Sequence, residues 1–399
     1  MAPSLDTGAL PFWVPGANTP HLSVSLQCAT SSIRFPSGSA RYAIAPGAGG
    51  GVAALETALA VHDLAGENVT LTLLAPASDF VYRPMAVLEP FAQRPPRRLA
   101  LSQFKSELGA RLEPDGVSWV DLDGRIVHTL GQRELPFDAL MIAVGAKTSE
   151  ALRGAATLDF TRAGESLREL IASIDAGSVR TPALVAPRST WPLGVFGDEV
   201  SAGVTGLLAR ADVAVIGDAS AERSADGLRV SGGERELPCD RVVAIPELAG
   251  PALTGLPANA DGFLPITQHG LVIGTESVYA AGDAADFPVK FGAVAAQQAD
   301  AAAASIAAAA GAELEPEPFD GVIHGTLLSG HHGSRLCFTA RLERDGARDA
   351  RVSDTPTRPR EAKIAALYLG PYLDRLWAEG PRWLGGELAW EAVLARLEQ

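Results

Sequence analysis

Residues 278–300 read VYAAGDAADFPVKFGAVAAQQAD. A short apolar run, Val278 to Ala281, ends in Gly282 and Asp283, and beyond Lys290 a helix-forming stretch opens at Gly292. The pattern is a strand, a tight turn carrying an acid, and a helix over about residues 292–310. Of the twenty residues 293–312, thirteen are alanine, which favours helix and leaves a slim rod that can approach a neighbour closely. Gln297, Gln298 and Asp300 interrupt the run, so it is not a membrane span. Taken alone, Asp283 also reads as a cap for the helix that follows it.

More than 200 residues upstream stands a second glycine-bearing turn, Gly49-Gly50-Gly51-Val52-Ala53-Ala54-Leu55-Glu56. It fits G-x-G-x-x-A: Gly49 makes the turn, Gly51 lets a pyrophosphate approach the backbone, and Ala54 permits close helix packing. The phosphates would face the unpaired N–H groups of a helix predicted over 52–64. The flanking rhythm is α/β, with strands expected at 42–45, 69–75 and 137–144, the last ending at Gly145. A hairpin is expected around Asp123-Gly124, from 117–122 and 126–129. Pro46 stands where the first strand would still donate, and Leu74-Ala75-Pro76 stands where an acid for a ribose is expected.

The chain of 399 residues carries 33 Lys and Arg against 47 Asp and Glu, a net charge of −14. That balance excludes general nucleic-acid binding, which needs a basic face. Its three cysteines, Cys28, Cys239 and Cys337, form neither a disulfide framework nor a C-x-x-C pair, and no metal site is expected. His331-His332 reads as a solvated loop pair. With no apolar run of membrane-spanning length and no basic-then-apolar leader at the amino end, the expectation is a cytoplasmic protein.

From about residue 41 to 372 the chain resembles the two-dinucleotide-fold, pyridine-nucleotide-disulfide-type flavoprotein oxidoreductases. It is most similar to the branch with type II NADH dehydrogenases and sulfide:quinone reductases. The resemblance is carried by GGGVAALE at 49–56, DFVYRP at 79–84, ALMIAVGA at 139–146 and, most specifically, the stretch at 278–300. It implies an α/β, Rossmann-like fold with FAD as cofactor. Gly49, Gly51, Ala54, Arg83, Pro84, Gly145, Gly282, Asp283, Lys290 and Gly292 are the implied cofactor-binding residues. Lys290, Gln297 and Tyr82 are candidates beside the flavin ring, where two electrons would pass from a small donor to a quinone or other small acceptor. The alternative is a non-catalytic binding or scaffold descendant of the same fold.

The implied organisation is an irregular leader at 1–40, a first part of the FAD domain at 41–150, a second lobe at 151–257, the rest of the FAD domain at 258–322, and a carboxyl-terminal region at 323–399. The second lobe is truncated. Trp191-Pro192-Leu193-Gly194 leads to a helix and a strand at 213–216 with no second G-x-G-x-x-G, so NAD(P)H is not an expected ligand. A cysteine pair beside the flavin is also missing, and Cys337 reads as a buried, inert thiol. After an apolar patch at 322–328 the sequence reads as a polar section to about 360, followed by amphipathic helices. In the helix over 360–384, Ile364, Leu367, Tyr368, Tyr372, Leu376 and Trp377 recur at helical spacing. Packing on the protein or a second subunit is the favoured expectation for that stripe, with peripheral contact at the inner membrane face as the alternative.

Overall fold

A computed structural model describes residues 40–46, 51–83, 98–150, 152–157, 182–185, 192–217, 219–225, 227–231, 235–239, 241–328, 335–355 and 366–378. Gly49, Pro84, Trp191, His331, His332, Ile364 and residues 1–39 lie outside this set. Five parallel strands form the central sheet: β1 (Ala40–Pro46), β2 (Val69–Leu74), β3 (Arg111–Glu113), β4 (Ala139–Ala143) and β5 (Val278–Ala280). Their order across the sheet is β3-β2-β1-β4-β5. Ile44 pairs with Leu73 on one side and Met141 on the other, and Met141 pairs in turn with Tyr279. β5 thus rejoins the sheet from far along the chain, and every residue of β4 is buried, as its unbroken ALMIA requires. Pro46 is the last residue of β1, opposite Ala143, so its missing N–H falls at a strand end and leaves the pairing upstream intact.

Helix α1 (Val52–Ala65) follows β1, and a short helix α2 (Leu101–Glu107) precedes β3. Further on come α3 (Asp198–Arg210), α4 (Gly292–Ala309) and α5 (Leu369–Ala378). α1 and α4 pack together over the sheet through small side chains, Ala53, Ala54, Ala58 and Ala60 with Ala295, Ala296, Ala299 and Ala303, all buried in one core. α5 joins the same core. Leu369, Tyr372 and Leu373 are buried, the Tyr372 ring lies 5.0 Å from that of Phe104, and Arg375 reaches Glu107 at 3.5 Å. Of the described stripe residues, Tyr368, Tyr372 and Leu376 therefore pack on the protein itself, whereas Leu367 is exposed. Among the described residues no helix is long and apolar enough to cross a membrane.

The region between β4 and β5 has only short strands. Ala183–Val185 pairs in parallel with Ala214–Ile216, and Ala221–Ser224, Gly227–Val230 and Arg235–Pro238 form an antiparallel sheet. Residues 263–266, apolar in sequence, form isolated bridges at Leu264 and Ile266 rather than a strand.

The polar section expected after residue 328 is corrected by the structure. β6 (Val322–Leu328), β7 (Arg335–Glu343) and β8 (Gly346–Ser353) make an antiparallel sheet. Leu336, Phe338, Ala340 and Leu342 recur at period two and are buried in a core with Ile323 and with Phe196, Val200 and Val204 of the second lobe. Abundant charge on the other face of β7 and β8 hides this alternation when composition alone is read. Cys337 is buried, with its sulfur 3.7 Å from Thr326 Oγ1.

The expected hairpin gains a third strand, Val117–Asp121, Ile126–Thr129 and Glu134–Pro136. It is tied to the later chain where Val120 N–H donates to Thr254 O at 3.0 Å. Gly255 follows at φ +89°, and a Cβ there would lie 1.9 Å from Val120 O, a backbone atom that cannot move aside. Gly255→Ala should therefore cost roughly 2–4 kcal/mol from backbone strain and overpacking together, read as a lower midpoint in denaturant unfolding.

Candidate functional site

β1 and β4 are adjacent, with β2 beyond β1 and β5 beyond β4, so the strand order reverses between them, the switch point where open α/β sheets place a crevice beyond the strands' carboxyl ends. Gly51, the N-cap of α1, borders it at φ −88° and ψ 167°. Among the described residues, a Cβ on Gly51 would find only Ala143 O, at 3.7 Å. Neither its backbone angle nor a packed neighbour requires glycine at that position. Gly282 is different: its φ is +72°, and a Cβ would lie 3.4 Å from Ala295 of α4 and 3.5 Å from Ala53 of α1. Gly282 is thus wedged between the first turns of the two helices. Gly145, at φ +76°, turns the chain just past β4 with nothing within 4 Å of a Cβ.

The helix ends at this crevice are electrostatically alike. Neither Gly51 nor Phe291, the N-caps of α1 and α4, makes a side-chain cap, and neither first turn carries an acid. Their first N–H groups and positive dipole ends are therefore left for something else to meet. Ala54 is fully buried behind the α1 turn, and Gly292 opens α4.

Charged side chains gather next to Gly282. Asp283 is partly buried, and burial holds its carboxyl above the usual range, while Lys290 and Arg83 pull it back down. The Lys290 ammonium lies 3.9 Å from the centre of the Phe263 ring and donates to Ala285 O. Burial lowers its pKa to about 8, against the opposing pull of Asp283 and Asp286. The structure therefore unites Arg83, Asp283 and Lys290, residues from both parts of the interrupted domain. Tyr82 lies deeper: it is buried edge-on to Phe80 at 6.1 Å, and burial and the charge of Asp374 on α5 push its hydroxyl upward.

Of the two adjacent glutamines, the one beside the turn is Gln298. Its Oε1 accepts the Gly282 N–H at 2.9 Å, its side chain is fully buried, and its Nε2 lacks a partner among the described residues. Gln297 instead donates to Val322 O at 2.8 Å and to Ala293 O at 3.2 Å, which fastens α4 to β6. A helical wheel separates the two in the sequence. Gln298 sits three residues after Ala295 and four before Ala302, on the alanine face that α1 covers.

Two glycines of the second lobe, Gly197 and Gly203, are closely packed. A Cβ on Gly197, at φ +102°, would lie 2.7 Å from Ala350 of β8, and one on Gly203 would lie 3.0 Å from Leu336 of β7. α3 opens with Asp198 and Glu199, so its positive end is already answered by its own carboxylates. Among the described residues no group of three or more His, Cys, Asp or Glu could hold a metal ion.

No family model matches the chain, and no curated protein matches it. Solved structures do. The sulfide:quinone oxidoreductase of the hyperthermophilic bacterium Aquifex aeolicus is similar at a TM-score of 0.65 and 15% identity, over 85% of this chain and 91% of its own. A ferredoxin reductase from Rhodopseudomonas palustris matches at a TM-score of 0.58 and 17% identity, over 75% and 82%. A NAD-dependent persulfide reductase from A. fulgidus matches at 0.56 and 16%, over 76% and 64%. The fold is therefore the two-dinucleotide-domain, Rossmann-like fold of pyridine-nucleotide-disulfide-type flavoproteins, as the sequence led us to expect.

The electrostatics of the turn can be tested without any ligand. In NMR titration of isotope-labelled lysine, Lys290 should lose its proton near pH 8. Asp283→Asn removes an anion that favours the charged ammonium, so the midpoint should move lower still. An upward movement, or none, would show that the two groups do not sense each other.

Proposed function

We propose that the chain is an FAD-dependent oxidoreductase that passes two electrons between a small donor and a small acceptor, with a quinone as the acceptor class. The observation that carries this reading is the meeting of two helix N-termini, free of side-chain caps and acids, on the Gly282-Asp283 turn at the sheet's switch point. The residues present fit the cofactor. Gly51 leaves room beside Ala143 O, and Gly282, between Ala53 and Ala295, holds a φ of +72° that other residues rarely adopt. The N–H groups of the α1 first turn, with the glycine turn before it, would receive the pyrophosphate, and Asp283 would accept from a ribityl hydroxyl. Arg83 and Lys290 would offset the anionic charge, Lys290 from beside the start of α4, and Gly145 and Gly292 would keep the backbone close. When bound, FAD supplies the two-electron chemistry, and the chain's own groups bind, orient and tune it.

The resemblance to sulfide:quinone and type II NADH dehydrogenase chemistry supports the quinone, and the second lobe argues against a nicotinamide donor. Gly197 and Gly203 are packed against β8 and β7, and Asp198 and Glu199 would repel a phosphate approaching α3.

Purified protein should be yellow, with flavin released on heating. A colourless protein that FAD cannot reconstitute would leave the non-catalytic reading in place. Asp283→Ala should weaken flavin binding by roughly 1.5–3 kcal/mol, or about ten- to a hundredfold, with folding retained. Gly51→Val should fold, because the nearest protein atom to a Cβ is 3.7 Å away, yet lose flavin more completely. Full flavin content in purified Gly51→Val protein would show that this turn does not hold the phosphates.

The second lobe yields a kinetic expectation. In anaerobic stopped-flow mixing, NADH and NADPH should reduce the bound flavin slowly or not at all, whereas dithionite should bleach it readily. Complete bleaching within milliseconds at micromolar NADH would restore a nicotinamide donor.

A further inference from the structure

The α1–α4 interface is lined with alanine, yet one carboxylate lies in it fully buried. Glu56 has no exposed surface, and both its oxygens are occupied: Oε1 accepts the Tyr368 N–H at 2.9 Å, and Oε2 accepts the Leu369 N–H at 2.6 Å. Leu369 is the first residue of α5, so an acid on the first helix of the chain caps the last described one across 313 positions. Burying an ion in an apolar interface is costly unless it is hydrogen-bonded, and these two amides supply that compensation. A second carboxylate faces the first from α4. Asp300 lies near enough to Glu56 for burial, and then the Glu56 charge and hydrogen bonding, to raise its carboxyl, and its Oδ1 is buried with no hydrogen-bond partner among the described residues.

We propose that Glu56 and Asp300 form a proton-sharing latch that holds the segment starting at Tyr368 on the first domain and lets it go as the proton is lost. Both Glu56 oxygens already accept N–H donors, so the proton between the two carboxylates belongs to Asp300, which donates it. Removing that proton places two anions side by side in a buried interface. The other groups turned toward the pair do not relieve this. Among the described residues, burial and then the charges of Asp63 on α1, Asp300 and Glu56 push the Tyr368 hydroxyl upward. Separation of the segment hydrates both carboxylates and returns the amides to water. The contacts of Tyr372 with Phe104 and of Arg375 with Glu107 lie further along α5, so the release begins at its amino end.

The direction of the pH effect follows from Asp300. Burial first, then the charge and hydrogen bond of Glu56, raise its pKa to about 9 while the segment is docked. In the released state it returns toward the ordinary aspartate value of about 3.9. An acid with a raised value in the docked state contributes stability that is fully present below the released-state value. That contribution declines as pH rises and is gone above about 9.

Hydrogen exchange at the Tyr368 and Leu369 amides, corrected for intrinsic rate, reads the latch directly. Between about pH 5.5 and 9.5 the protection of these two amides in the wild-type protein should fall by about tenfold or more. Asp300→Asn keeps a donor toward Glu56 but cannot ionise, so its protection should stay flat across the same range. Glu56→Gln should lose protection at every pH. Flat protection in the wild type, or a parallel loss in Asp300→Asn, would overturn the latch. Should a variant fail to fold, carbon NMR of the Asp300 carboxyl in wild-type protein decides. Titration in step with the loss of protection supports the latch, and titration out of step overturns it.

Discussion

The close approach of two alanine-faced helices over a parallel sheet is the constraint on which the other features depend. α1 and α4 can lie side by side only because Ala53, Ala54, Ala58, Ala295, Ala296, Ala299 and Ala303 present little more than a methyl group each. That proximity brings both first turns close to Gly282, where a Cβ would lie 3.4 Å from Ala295 and 3.5 Å from Ala53. Gly282 holds a backbone angle that costs other residues free energy, and Gln298 fixes it there by accepting its N–H. A larger side chain on either helix would separate the turns and dissolve the site.

Charge then distinguishes one helix end from another. α1 and α4 start without acids and without side-chain caps, whereas α3 starts with Asp198 and Glu199. A helix N-terminus attracts an anion through its dipole and its unpaired N–H groups, and carboxylates in the first turn satisfy that attraction internally. The same secondary structure thus presents an uncompensated positive end in the first domain and a compensated one in the second lobe. There Gly197 and Gly203 pack against Ala350 and Leu336, and the lobe shares a core with β6, β7 and β8.

α1 and α4 also carry the polar groups that tie distant parts of the chain together. Glu56 reaches α5, Gln297 reaches β6, and Gln298 reaches the Gly282 turn. Each replaces backbone solvation with directed hydrogen bonds, which in an apolar setting are strong and costly to lose. Tyr82 and Asp374 extend the connection from α5 toward the cofactor half of the domain.

Local order along the chain was sufficient for the strand–glycine–helix units at 40–65 and 278–309, because turn chemistry, apolar runs and alanine content act within a few residues. The sheet of β6, β7 and β8 was harder to read: its inward period of two is present at Leu336, Phe338, Ala340 and Leu342, but the charges between and after them dominate the composition. What no local pattern could supply is partnership. That Gln298 holds the turn while Gln297 holds a strand, that Arg83 and Lys290 meet at Asp283, and that Glu56 finds Asp300 and the start of α5 were decided by tertiary packing. A buried polar group takes whichever complementary atom the fold brings within reach, and that distance is set by the helices' approach over the sheet rather than by spacing along the chain.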